Sequence, residues 1–199
     1  MKDLFILVAD KNMEYTFNGI LERKDSLKIR DITFYVQGHK LRDPGVYKGA
    51  HEFLKIYIGQ YNYALVVFDR EGCGCDDTAS EIAYVVQTNL NSNGWENRSK
   101  VIVLDPELEI WIWSDSPEVA QCINWDHKEL RDWLAQKYLT TDSTKPAKPK
   151  EAFEEALRVK KIPRSSSIYR KLAERVSFKR CEDSAFKEFT GTLQQWFPR

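Results

Sequence analysis

Two short, wholly apolar runs constrain this chain more than any other feature. Leu4-Phe5-Ile6-Leu7-Val8-Ala9 and Ala64-Leu65-Val66-Val67-Phe68 have the length of strands rather than helices. An unbroken apolar run of that length suits a parallel sheet covered on both faces. Each run ends on an acid. Asp10 closes the first and is followed by Lys11-Asn12-Met13-Glu14; Asp69 closes the second and leads into Arg70-Glu71-Gly72. Open α/β sheets bind ligands in the crevice beyond the carboxyl ends of their strands, so the two runs are expected to bring four carboxylates to one place.

Strand and helix signals alternate through the rest of the chain. Residues 13–24 put Met13, Phe17, Ile20 and Leu21 on one helical face, and residues 30–36 alternate as a second strand. Asp43-Pro44-Gly45 marks a turn before a helical stretch from Val46 to Gln60, and Tyr63 to Phe68 is the third strand. Asp77 to Glu81 has the composition of a capped helix start running on to Leu90; Lys100 to Leu104 is a fourth strand, and Glu109 to Trp113 is expected as a fifth extended segment. Helical spacing returns in 116–123, 127–138, 151–159, 166–176 and 183–196. The expected fold class is α/β, a mainly parallel sheet flanked by helices and joined by right-handed crossovers, with a C-terminal helical extension. The polar, proline-punctuated stretch 140–150 reads as a linker between an α/β domain over 1–139 and the extension over 151–199.

Lys and Arg number 30 against 30 Asp and Glu, so no global field draws the chain onto nucleic acid and any such contact must be a local patch. The densest basic segment is the tail, where Arg164, Arg170, Lys171 and Arg175 are candidate phosphate or partner contacts; a charged helix face that is merely solvated is the commoner case. The opening Met1-Lys2-Asp3 lacks the form of a signal peptide, and no apolar stretch nears the roughly 18 residues needed to cross a bilayer. A cytoplasmic protein with reduced thiols and no membrane partner is expected. Cys73-Gly74-Cys75 is the one close cysteine pair, and it lacks the second pair of ligands that a zinc site needs.

Carboxylates within about 4–6 Å disfavour one another's ionisation unless a cation compensates. Mg²⁺ and Mn²⁺ prefer such oxygen ligands, with waters and substrate phosphates completing the shell. Asp10, Glu14, Asp69 and Glu71 are therefore the candidate catalytic and metal-binding residues. Taken singly, an acid at a strand end also has ordinary uses, Asp10 as the cap of the following helix among them. His39 and His51 flank the Asp43-Pro44-Gly45 turn and can serve as acids or bases near neutral pH, or as packing residues. Trp111 and Trp113 alternate with Ile110 and Ile112, which predicts one tryptophan face in the core.

This arrangement of acids resembles the Toprim module of topoisomerases, primases and OLD-family nucleases. It most resembles the small Toprim-like proteins encoded beside ATPases in bacterial phage-defence islands. Asp10 and Glu14 match an acid at the end of the first strand with a second acid four residues on, Asp69-Arg70-Glu71 matches a D-x-D as D-x-E, and Pro106 to Asp115 is similar to a P-x-x-E-x-W-x-x-x-D stretch. The chain departs from the usual Glu-Gly at Asp10-Lys11: the first acid is a methylene shorter, and Lys11 is available to pair with a scissile phosphate or to supply the charge balance of a metal. The resemblance covers about residues 4–125. It implies a Mg²⁺- or Mn²⁺-dependent phosphodiester hydrolase, a nuclease of a phage-defence system, with nucleic acid as substrate and an ATPase as partner. In that scheme Asp69 and Glu71 hold one ion, and Glu14 with Asp10 or Glu109 holds the other. Two other readings fit the same residues: a catalytically degenerate Toprim-like interaction subunit of a larger ATPase or nucleic-acid-processing complex, and a receiver-like phospho-acceptor domain.

Overall fold

The computed structural model describes residues 1–199 apart from Asp115, Thr141 and Asp142, and apart from the side chain of Arg180. The chain opens with β1 (Lys2–Val8), passes through α1 (Lys11–Leu21) and the single turn α2 (Lys24–Leu27), and returns as β2 (Phe34–Gly38). Helix α3 (Arg42–Leu54) leads to β3 (Tyr61–Asp69), and α4 (Ala79–Leu90) leads to β4 (Ser99–Leu104). All four strands run parallel, in the order β2-β1-β3-β4. The fold is thus the α/β class expected from the alternation of signals, a parallel sheet flanked by helices. The two unbroken apolar runs became its central strands, and Leu4 to Ala9 and Ala64 to Phe68 are fully buried because helices cover both faces there.

Strand order positions the acids. Val8 of β1 is in register with Val67 of β3, so Asp10 and Asp69, each two residues further on, leave the sheet at the same level. After β1 the chain moves outward to β2 on one side and then to β3 on the other, which makes the β1/β3 boundary the topological switch point where open α/β sheets form their ligand crevice.

The expected fifth extended segment is corrected. Leu108–Trp111 is a 3₁₀ turn, and every residue from Leu108 to Ser114 is buried. The period-two pattern misled because a segment buried all round has no polar face to reveal its true period. Both tryptophans lie in the core, not one face of the pair, and each ring N–H is satisfied there: Trp111 Nε1 donates to Asp183 Oδ1 at 2.9 Å and Trp113 Nε1 to the Pro149 carbonyl at 2.9 Å. Asp115, the last position of the motif similar to P-x-x-E-x-W-x-x-x-D, lies outside the described residues.

Beyond this segment come α5 (Pro117–Cys122), α6 (His127–Lys137), α7 (Pro149–Val159), α8 (Ser166–Arg175) and α9 (Ser184–Trp196). Thr141 and Asp142 of the expected linker are outside the described residues; the part that follows is pinned, with Pro146 buried and Lys145 Nζ donating to the Ile110 carbonyl at 3.0 Å. Helix α9 brings Phe189 edge-on to Phe17 (5.3 Å) and Phe186 edge-on to Trp111 (4.9 Å), and Trp196 stacks on Tyr63 at 4.5 Å. Helix α8 lies along α1. A Cβ added at Gly19 would meet Ala173 Cβ at 2.9 Å and the Arg170 carbonyl at 3.2 Å, and Arg23 caps α8 by donating to the Ala173 and Val176 carbonyls at 2.7 and 2.8 Å. Overpacking of this kind costs about 1–3 kcal/mol, and at its upper end it exceeds by about 2 kcal/mol the roughly 1 kcal/mol of helix propensity gained on leaving glycine. Gly19→Val, with two methyls beyond the clashing Cβ, is expected to lower the melting temperature by about 4–8 °C. An unchanged melt would mean that α8 is free to move away from α1.

Candidate functional site

Asp10 is extended (φ −145°, ψ −177°) and caps α1, its Oδ1 accepting from Met13 N–H at 3.0 Å. The capping role therefore occupies one of its oxygens. Glu14 follows one turn later, and its Oε2 would stand 3.6 Å from a Cβ built on Gly38, at the carboxyl end of β2. Asp10, Lys11, Asn12, Glu14, His39, Lys40 and Arg42 line an open cleft of about 580 Å³ at this edge. His39 Nδ1 accepts from Leu41 N–H at 3.1 Å, and burial lowers its pKa from the ordinary histidine value. His51 sits on α3 with Nε2 3.7 Å from Glu52 and does not line the cleft.

Asp69 lies deeper. Its backbone N–H donates to Asp43 Oδ1 at 2.8 Å, and its own Oδ1 accepts from Leu108 N–H at 2.8 Å. Burial, then the neighbouring charges of Asp43 and Glu109, push the Asp69 carboxyl well above the usual carboxylate range, against the lowering effect of the Leu108 N–H; Glu107 adds to the rise. Burial also raises Asp43, and the charge of Asp10 adds to that. Asp43 thus holds the Asp69 backbone and feels the charge of Asp10. Sequence reasoning treated it only as a turn residue; the signal that could have found it is an acid in the first turn of a helix that starts at the carboxyl edge of the sheet.

Glu107 and Glu109 reach the same edge on the 3₁₀ segment and are only 7% and 3% exposed. Glu107 Oε1 accepts from Lys150 N–H at 2.9 Å, and Lys150 Nζ is 3.7 Å from its Oε2. Glu109 Oε1 accepts from the Tyr169 hydroxyl at 2.5 Å and lies 3.5 Å from an Arg164 nitrogen. Burial works against the charged form of Lys150, but Glu109, Glu107 and Asp69 outweigh it and raise the lysine above its ordinary value. Burial raises Glu107 despite Lys150.

Other expected residues are placed differently. Strand β3 ends at Asp69, and Glu71 lies in the turn beyond it, exposed at the rim, its N–H donating to the Pro106 carbonyl at 3.0 Å. Asp69 and Glu71 therefore do not share one strand face. Arg164 is engaged by Glu109 and Glu154, and Arg170 by Glu22 and Glu174, which ties α8 to α1. Among the described residues, Lys171 and Arg175 show no ion pair. The Lys11 ammonium lies 5.8 Å over the Tyr15 ring. Cys73 and Cys75 are free thiols, Cys75 Sγ lying 3.1 Å from Asp77 Oδ2.

Hard carboxylate oxygens suit Mg²⁺ or Mn²⁺ in kind. In arrangement, no group of three or more His, Cys, Asp or Glu among the described residues is already gathered to hold a metal ion. Asp10, Asp43, Asp69, Glu107 and Glu109 each give an oxygen to a protein donor, whereas the Glu14 carboxylate has no such donor among the described residues. Among the described residues, no helix is long and apolar enough to cross a membrane. Compared with known proteins, the chain matches no family model, no curated protein and no solved structure.

Proposed function

We propose that this chain is a Mg²⁺- or Mn²⁺-dependent phosphodiester hydrolase of Toprim type, a nuclease acting in a phage-defence system. The observation that carries the reading is Asp69: a half-buried carboxyl at the β1/β3 switch point, raised by desolvation and then by the charges of Asp43, Glu109 and Glu107. A cation at this edge relieves that repulsion. Asp10, Glu14, Asp43 and Asp69 are the residues that would hold it. When bound, the ion supplies Lewis-acid polarisation of a phosphoryl oxygen and a water of lowered pKa. The chain's own part is positioning: Lys11, Lys40 and Arg42 on the cleft wall meet the charge of a phosphate backbone, and His39, with Nδ1 taken by Leu41 N–H, keeps Nε2 for proton exchange. The defence setting and an ATPase partner rest on the resemblance of Asp10, Glu14 and Asp69-Arg70-Glu71 alone.

A second reading, a degenerate interaction subunit, is favoured by Lys150 and Arg164, which already stand against Glu107 and Glu109. Calorimetric titration with Mn²⁺, paired with cleavage assays on DNA and RNA, separates the two. The wild type is expected to bind Mn²⁺ and, at a hundredfold excess over Kd, to gain about 2.7 kcal/mol, a rise of roughly 5–11 °C in melting temperature. Asp69→Asn is expected to lose that gain. A flat titration and no cleavage would leave the interaction subunit standing.

A further inference from the structure

We infer that β4 is an interaction edge for a second copy of this chain, the two β4 strands pairing antiparallel about a two-fold axis. The pairing joins two four-stranded sheets into one. It lies at the opposite side of the sheet from β2 and does not depend on the chemistry proposed above.

Strand order leaves β4 with one neighbour, and the ladder to that neighbour fixes which backbone groups are used. The Arg98 carbonyl accepts from Ala64 N–H at 3.0 Å and the Leu104 carbonyl from Arg70 N–H at 2.8 Å, with unbroken register between them. Backbone groups of successive strand residues turn to alternate sides, so Arg98, Lys100, Ile102 and Leu104 face β3. Val101 and Val103 therefore turn their N–H and C=O groups outward. Among the described residues no other element supplies a partner to these groups. The two valines are only 3% and 7% exposed, so the unpaired groups lie on the floor of a groove, where missing hydrogen bonds are costly. A helix has no spare row of N–H and C=O groups to offer them. An extended strand does.

The groove, of about 580 Å³, runs between α4 and α9 with Val101 and Val103 at its base. Ala79 and Ala83 on α4 and Ser184 and Ala185 on α9 keep its walls low, while Tyr84 on the α4 wall is 72% exposed. Folded proteins usually blunt such an edge with proline, a bulge or a free lysine. Here β4 contains no proline, its register with β3 is unbroken over six residues, and its one charged side chain, Lys100, is held by Glu188 at 2.5 Å. The edge that fits it is its own. A two-fold axis brings two copies of one strand together antiparallel; centred on Ile102, it opposes each Val101 to Val103 of the other copy and pairs all the outward groups. Each rim carries one charge of each sign, Lys100 and Glu188, and the chain has 30 basic and 30 acidic residues, so two copies meet without net repulsion. The pairing covers Tyr84 and sets the two acidic edges at opposite ends of the common sheet.

The test is size-exclusion chromatography with light scattering on the full chain, at about 1 μM and about 100 μM to bracket a micromolar dissociation constant. Wild type is compared with Val101→Pro and Tyr84→Glu, with circular dichroism to show that each variant is folded. Val101→Pro removes an outward N–H and leaves the ladder to β3 intact; Tyr84→Glu alters an exposed side chain alone. The wild type is expected at twice the monomer mass at the higher concentration, and both variants at the monomer mass. Amide exchange on the wild type should protect Val101 and Val103 only at the higher concentration, and Lys100 and Ile102 at both. A wild type that stays monomeric at about 100 μM would overturn the inference and leave the edge to an extended segment of a different protein. A dimer whose mass survives both substitutions would lie elsewhere on the surface and overturn it equally. If Val101→Pro does not fold, Tyr84→Glu and the exchange pattern decide the matter.

Discussion

Phe189→Ala is expected to destabilise the chain by about 3–5 kcal/mol, the cost of emptying a fully packed aromatic site. Phe189 is completely buried in α9, edge-on to Phe17 of α1 and 6.1 Å from both Trp111 and Phe186. The substitution therefore opens a cavity between the extension and the α/β layer. In thermal melting this corresponds to a fall of roughly 6–20 °C. The prediction bears on how the extension relates to the sheet. An appendage joined by a loose linker would lose little, and a fall of under ~1 kcal/mol would show that α9 contributes almost nothing to the common core. The same packing explains why removal of residues 146–199 is a poor probe of the basic tail: it strips Phe17, Tyr63 and Trp111 of their partners. It also removes Lys150, Arg164 and Tyr169 from the acidic edge.

Asp69→Asn is expected to stabilise the metal-free chain at pH 8 and to leave its stability nearly unchanged at pH 4. Burial, Asp43 and Glu109 raise the folded-state pKa of Asp69 above its unfolded value, which is about 3.9. Its favourable contribution is therefore fully present below about pH 4 and is lost as pH rises through the folded value. Asn keeps an oxygen for the Leu108 N–H and carries no charge. The gain at pH 8 is about 1–3 kcal/mol, of the order expected when a buried, poorly compensated charge is removed. Asp43 and Glu107 are raised in the same direction, so the wild-type profile also falls with pH and the mutant profile is flatter without being level. Urea titrations at pH 4, 6 and 8 give the comparison. A mutant less stable than the wild type at pH 8 would mean that the Asp69 carboxylate is already well compensated. Mn²⁺ is expected to reverse the ranking, because only the wild type gains from it.

Much of this architecture was legible in the chain itself. The apolar runs specified β1 and β3 and their parallel setting. The helical periods set α1, α4 and the helices of the extension to within a few residues of their observed bounds. Acids at the carboxyl edge also followed, because a strand's direction and the residue that ends it are properties of adjacent positions. The state of those acids was not legible. Whether Glu109 is a ligand or an anchor depends on Tyr169, 60 residues away, and Glu107 depends on Lys150, 43 residues away. Asp43 became part of the site only when α3 set it against the backbone of Asp69. Glu71 lies past the end of β3, exposed, and reaches the edge only through its charge on Glu107. Glu109 to Trp113 lost its expected strand because burial on every side erases the polar face from which a period is read. Sequence alone determined the sheet and the edge at which charge collects, since periodicity is written in near neighbours. Only the tertiary structure decided which carboxylates are compensated and by what, since desolvation and Coulomb energy depend on distances through space between residues far apart along the chain.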